Sequence, residues 1–134
     1  MSGERYPVLW IGQVSVVTLP AEIDVTNADA IREELLAVLN QNAALLVADM
    51  SKTNFCDSSG VSALVHVFRR AASGSAMRLV VSTPAVQRVL SITGVDRLVD
   101  VYPSVAASLG DPNGHVDQAR PDGATAKADT DGGA

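Results

Sequence analysis

Apolar positions in this chain alternate between short β-branched runs and stripes of helical spacing. Val8 to Ile11 is a brief apolar run, Gly12-Gln13 is a turn signal, and Val14 to Leu19 reads Val-Ser-Val-Val-Thr-Leu. Two such runs around a two-residue turn predict a β-hairpin, closed at its far end by Pro20. Ile31, Leu35, Val38 and Leu39 then recur at i, i+4, i+7 and i+8, the single apolar face of a helix. Thr26 and Asn27 are candidate caps for its start, Asp29 favours its first turn, and Asn40 to Asn42 ends it. Leu45 to Asp49 is a short apolar strand. Val61, Leu64, Val65 and Phe68 give a second helical stripe after Cys56, stopped by Ser73-Gly74-Ser75. Leu79 to Val81 predicts another strand. Pro84 opens a third helix on Val86, Val89 and Leu90, and Gly94 ends it. Leu98 to Val101 predicts a brief strand, and Ser104 caps a last short helix containing Val105 and Leu109.

Strands separated by helices need crossover connections, which favour parallel pairing with helices packed on the sheet. The expected fold class is α/β, a mixed sheet of four to five strands with helices against it. At 134 residues and 47% hydrophobic content, one domain of this kind can build a core without disulfides or metals. The pattern ends near Gly110. Beyond it come Asp111-Pro112-Asn113-Gly114 and then mainly Gly, Ala, Asp, Pro and Thr, with Val116 the only large aliphatic residue. A segment of that composition cannot offset its ordering entropy. The expected organisation is therefore a domain over residues 1–109 and a disordered acidic tail over 110–134.

Charge and composition exclude several function classes. The net charge of −5 and the isoelectric point near 4.8 argue against direct nucleic-acid binding, which needs a basic footprint. The longest apolar run, Ala43 to Ala48, is far short of the roughly 20 residues that span a bilayer. No basic segment followed by an apolar stretch opens the chain, so a cytoplasmic protein is expected. A lone cysteine and two distant histidines, His66 and His115, leave little for a metal centre. Cys56 is expected to be buried and inert, and Tyr6 and Trp10 to pack near the first strand. Arg69, Arg70 and Arg78 are expected at a solvated helix end.

The most specific signal is Asn54-Phe55-Cys56-Asp57-Ser58-Ser59-Gly60-Val61, which ends a strand-loop segment and opens a helix. Asp57, Ser58 and Ser59 can all cap a helix, and capping alone is the simplest reading of such a run. A phosphate placed on a serine there would also meet the unpaired N–H groups and the positive dipole end. No Gly-x-Ser-x-Gly elbow is present, and His66 lies about 10 Å along the helix from Ser59, too far for a proton relay.

The run Asp57-Ser58-Ser59-Gly60-Val61, with Phe55 just before it, resembles the signature of STAS domains of the anti-sigma factor antagonist family. A second signature of that family is similar to Glu22-Ile23-Asp24 followed by Val25-Thr26-Asn27-Ala28, with Ala21 where glycine is common. The resemblance spans roughly residues 7 to 109. It implies a non-enzymatic switch with no cofactor of its own. Ser59 is the implied phosphorylation site, and Asp24, Thr26, Asn27, Asp57, Ser58 and Gly60 are the implied phosphosite neighbours or partner contacts. The implied partners are an anti-sigma factor with serine kinase activity, which brings the ATP, and a metal-dependent serine phosphatase. The rival within the family is a STAS scaffold or sensor, never phosphorylated, that binds a nucleotide, a lipid or a protein. A glycine-rich phosphate loop is absent, which disfavours a nucleotide.

Overall fold

The computed structural model describes residues 6–112, and the acidic tail lies outside them apart from its first three residues. The predicted hairpin forms as β1 (Val8–Ile11) and β2 (Val14–Thr18), with Gly12 at φ +61°, a conformation glycine adopts without strain. β3 (Glu22–Ile23) and helix α1 (Ala28–Leu39) follow. Next come β4 (Leu45–Met50), β5 (Phe55–Cys56) and helix α2 (Ser58–Ala71). The chain continues through β6 (Ala76–Val81), α3 (Pro84–Thr93), a 3-10 turn at Val95–Arg97, β7 (Asp100–Tyr102) and α4 (Val105–Leu109).

Five strands form one mixed sheet in the order β1-β2-β4-β6-β7. β1 runs antiparallel to β2, and the other neighbours are parallel. The two-residue strands β3 and β5 pair separately, in parallel. The α/β expectation holds, and β3 and β5 are additions to it. Two residues carry no periodicity, so neither stretch reads as a strand from its sequence. The strand expected over Leu79 to Val81 starts three residues earlier, at Ala76. The one expected over Leu98 to Val101 is displaced to Asp100–Tyr102, because the chain first makes the 3-10 turn after Gly94.

The main core lies on one face of the sheet. Ile31, Leu35 and Val38 of α1, Leu64 and Val67 of α2, and Val86 and Leu90 of α3 meet Val17, Leu46, Ala48, Leu79 and Val81. A smaller apolar cluster of Val16, Val47 and Val80 lies on the opposite face, with Val105 of α4 packed on it. Ser104 caps α4 as expected, its hydroxyl accepting from the Ala107 N–H at 3.1 Å.

Arg78 departs from its expected place in a solvated basic cluster. It is a β6 residue, 4% exposed, whose Nη1 donates to the Ser108 carbonyl. Its guanidinium lies 5.5 Å from the centroid of the Tyr102 ring, and the strand register puts Asp100 beside it. The Tyr102 hydroxyl donates in turn to the Asp111 carboxylate at 2.7 Å, a contact beyond residue 109. Burial and that carboxylate hold the Tyr102 phenol protonated well above its ordinary range. Arg78 therefore joins β6, β7 and α4, whereas Arg69 and Arg70 are exposed at the end of α2.

Arg78→Ala is expected to lower stability by about 1–3 kcal/mol, the cost of a lost charged hydrogen bond and its packing. Arg70→Ala should stay within about 0.5 kcal/mol of the parent. Urea denaturation of the two variants checks the contrast.

Candidate functional site

The site is assembled where β3 and β5 end. Their ladder sets Glu22 opposite Phe55 and Ile23 opposite Cys56. It is extended at both ends by backbone bonds, Asn54 N–H to the Ala21 carbonyl at 2.8 Å and Asp57 N–H to the Ile23 carbonyl at 3.1 Å. Fully buried Thr53 braces the approach, donating its hydroxyl to the Pro20 carbonyl at 2.7 Å and accepting at its own carbonyl from the Thr83 hydroxyl at 2.9 Å. The two motifs thus leave paired strands side by side, and Asp24 and Asp57 are the first residues beyond the pair.

Each loop is fixed by its own side chains. Asp24 Oδ1 accepts from both the Thr26 N–H at 2.9 Å and the Thr26 hydroxyl at 2.5 Å. These bonds favour the charged carboxylate and hold its pKa below the usual value. Asn27 reaches backward, accepting from the Asp24 N–H at 3.0 Å and donating to the Glu22 carbonyl at 2.8 Å. Thr26 and Asn27 were candidate helix caps, but neither side chain caps α1. Both are spent on the loop that carries Asp24, between the end of β3 at Ile23 and the start of α1 at Ala28.

The second loop differs. Asp57 caps α2, its Oδ1 accepting from the Ser59 N–H at 2.9 Å and the Gly60 N–H at 3.2 Å. Two of the donors that a phosphate on Ser59 was expected to meet are therefore already occupied by a carboxylate. Ser58 is exposed and Ser59 half-buried. The hydroxyl of neither is hydrogen-bonded to any of the described residues.

Gly60 is buried and has no room for a side chain. A Cβ there would lie 2.6 Å from the Cys56 Sγ and 2.7 Å from the Ile23 Cγ2. Glycine lets the first turn of α2 rest directly on the β3–β5 pair, which fixes the height of both serines. Cys56 is buried as expected, and desolvation, reinforced by the Asp57 charge, pushes its thiol up to about 11.

Two apolar side chains border the site in the open. Val25, next to Asp24, is 74% exposed, and Phe55, on β5, is 49% exposed. The other expected residues are more distant in role. His66 is exposed on α2, Tyr6 is buried, and Trp10 is partly exposed on β1. Among the described residues no cluster of carboxylates, histidines or cysteines could hold a metal ion, and no helix is long and apolar enough to cross a membrane.

Residues 8–108, which contain both loops and every strand, match the family model of the STAS domain. The chain belongs to the STAS domain family. This STAS domain is similar to an anti-sigma factor antagonist from Mycobacterium paratuberculosis of known structure. The two are 28% identical, with 78% of this chain and 90% of that one covered, at a TM-score of 0.74. A Thermotoga neapolitana protein named as an anti-sigma factor antagonist and TM1081 homolog is 25% identical over 111 residues, 81% of this chain and 98% of that protein. The fold is also that of the antagonist SpoIIAA in its unphosphorylated form, at 21% identity and a TM-score of 0.64 over 81% of this chain and all of that one. SpoIIAA of Bacillus in its phosphorylated form matches at 19% identity and a TM-score of 0.58 over 78% of this chain and 96% of that one.

Gly60→Ala is expected to destabilise the domain by at least about 1 kcal/mol, since overpacking by 1–3 kcal/mol exceeds the helix-propensity gain. Adding Cys56→Ala removes one of the two clashing atoms, so the double variant should lose less than the sum of the singles. Thermal and urea melts of the set measure this.

At pH 8 the native Cys56 thiol should react with a disulfide reagent about two hundredfold more slowly than in the unfolded chain, as its thiolate fraction is that much smaller. The folded pKa exceeds the unfolded value of about 8.5, so the thiol's contribution to stability is complete below that pH. It is lost as pH rises toward about 11. Cys56→Ala should flatten that alkaline fall, which chemical denaturation across pH 8 to 11 follows.

Proposed function

We propose that this STAS domain is an anti-sigma factor antagonist that works by partner switching through Ser59. In the unphosphorylated state it binds an anti-sigma factor and so releases a sigma factor. The anti-sigma factor is also a serine kinase, which transfers phosphate from its own ATP to the Ser59 hydroxyl, and the complex separates. A serine phosphatase resets the switch. The chain itself performs no catalysis, needs no cofactor and acts in the cytoplasm.

The observation that carries this reading is a half-buried serine hydroxyl, unbonded among the described residues, held at a helix start beside the Asp24 loop. A hydrolytic serine would need an adjacent base, and the single histidine near it in sequence, His66, is on the exposed side of α2. Exposed Val25 and Phe55 supply apolar contact at the border of the site, which suits a protein partner better than a small polar ligand. The names of the related antagonists point the same way.

The effect of phosphate follows from charge. Phosphorylation adds about −1.5 to −2 charges at neutral pH. The Ser59 and Gly60 N–H groups already bind the Asp57 carboxylate, so the new anion meets a like charge at the place where backbone donors would otherwise offset it. In a complex, the same group must also be desolvated against a surface that fitted a bare hydroxyl.

Ser59→Asp and Ser59→Glu are expected to fold but to bind the anti-sigma partner about 150-fold more weakly, a loss of about 3 kcal/mol. Ser59→Ala should bind persistently and resist release by ATP, while Ser58→Ala should still accept phosphate. Calorimetry against the partner captured from native lysate, with a radiolabelled ATP assay, tests these variants. Full phosphorylation of Ser59→Ala, or parental affinity in Ser59→Asp, would exclude Ser59 as the switch.

A further inference from the structure

The strand β1 forms one edge of the sheet, and its backbone shows which of its groups are open. The Thr18 N–H donates to the Pro7 carbonyl at 2.9 Å, and the register pairs Val8 with Val17 and Leu9 with Val16. In an antiparallel ladder the bonded pairs alternate. Leu9 and Ile11 therefore turn their N–H and C=O groups inward to β2, while those of Val8 and Trp10 point outward from the sheet.

Natural edges are protected by charges, bulges, proline or brevity. The opposite edge, β7, has such devices: it is three residues long, carries Asp100, and is followed by Pro103. β1, four residues long and preceded by Pro7, has no charge within it. Its side chains are exposed as well, Leu9 by 59%, Ile11 by 49% and Trp10 by 38%. Leu9 and Ile11 extend the apolar row of Val16 and Val14 on the sheet face that carries α4.

We infer that β1 pairs with β1 of a second copy of this chain, antiparallel about a two-fold axis at Leu9, to make a continuous ten-stranded sheet. The outward groups are self-complementary in one register. Val8 of one copy and Trp10 of the other exchange both N–H···O bonds, and the axis repeats the exchange. Every outward group of the strand is then satisfied. Leu9 faces Leu9 of the partner copy at the close, unbonded position, where side chains approach most nearly. Pro7 falls opposite Ile11 of the partner copy, also an unbonded position, so its missing N–H costs nothing. Sliding the register one way would require Gly12, which is already committed to the turn at φ +61°, and sliding it the other way would bring in Tyr6, which is buried and lies outside the strand. The contact is isologous, as a closed dimer requires. It involves a single strand, so it belongs to the weak, reversible class of interfaces. The β1 edge is a different element from α2, which carries Ser59, so the inference holds or fails independently of the partner-switching reading.

The test uses the full chain. Sedimentation equilibrium from about 10 µM to about 1 mM, the range suited to a weak interface, should show the mass rising from 13.9 kDa toward twice that value. Trp10 is the only tryptophan, so its emission should move to shorter wavelength over the same range. Amide exchange should slow with concentration at Val8 and Trp10 and stay constant at Leu9 and Ile11. Leu9→Lys sets two ammonium groups against each other at the axis and should weaken association at least tenfold with its melting temperature preserved. A constant mass of 13.9 kDa, association undiminished in folded Leu9→Lys, or Val8 and Trp10 amides already protected in the dilute chain would each overturn the inference. The amide pattern of the parent chain decides the matter even if Leu9→Lys does not fold.

Discussion

Gly60 resting on Ile23 and Cys56 is the contact on which the site depends. Two strands of two residues each would be a negligible element alone, since even an isolated hairpin is at best marginally stable. They persist because α2 lies on them without an intervening side chain, with Thr53 and the backbone bonds at either end closing the assembly. The same contact lowers the first turn of α2 to the level of the Asp24 loop. Serine geometry, thiol burial and loop pairing are therefore one packing problem with one solution, and a methyl group is enough to disturb it.

Asp57 shows how a structural and a chemical role coincide in one carboxylate. Its cap bonds stabilise the helix that presents the serines. The negative charge that makes it a good cap also adds to the desolvation that raises the neighbouring Cys56 thiol. Asp24 sits in the opposite circumstance, only half-buried and supplied with donors by Thr26, so its charge is favoured. The two acids, each the first residue beyond one of the paired strands, thus differ in purpose. One holds a helix; the other is the fixed anion of a loop.

Most of the architecture was legible because the long elements repeat. The helices over Ile31 to Leu39 and Val61 to Phe68 declare themselves by their apolar stripes, and Gly12 and Gly94 mark turns that need positive φ. Other features have no such signal. Glu22-Ile23 and Phe55-Cys56 are strands only because each finds the other across the fold. Asn27 looks like a cap, and whether its amide turns toward the helix or back to Glu22 is decided by the position of β3. Arg78 looks like a surface charge. Only the pairing of β6 with β7 and the return of α4 reveal that it is enclosed. For the site, the two motifs named the loops that the β3–β5 pairing sets side by side, while the occupation of the α2 donors by Asp57 required coordinates.

The pairing of β3 with β5 has a consequence for the order in which the molecule comes into being. The two partners are separated in the chain by all of α1 and β4, and they are held together by a helix that begins only after β5. Contacts of that span form late, after the loop-closure entropy of the segments between them has been met. Up to that moment Asp24 and Ser59 belong to two unrelated stretches of polypeptide. During synthesis nothing that reads the pair of loops can read them before α2 has left the ribosome and settled on Ile23. The site is in this sense a certificate of completed folding, legible only on a chain whose core is already in place.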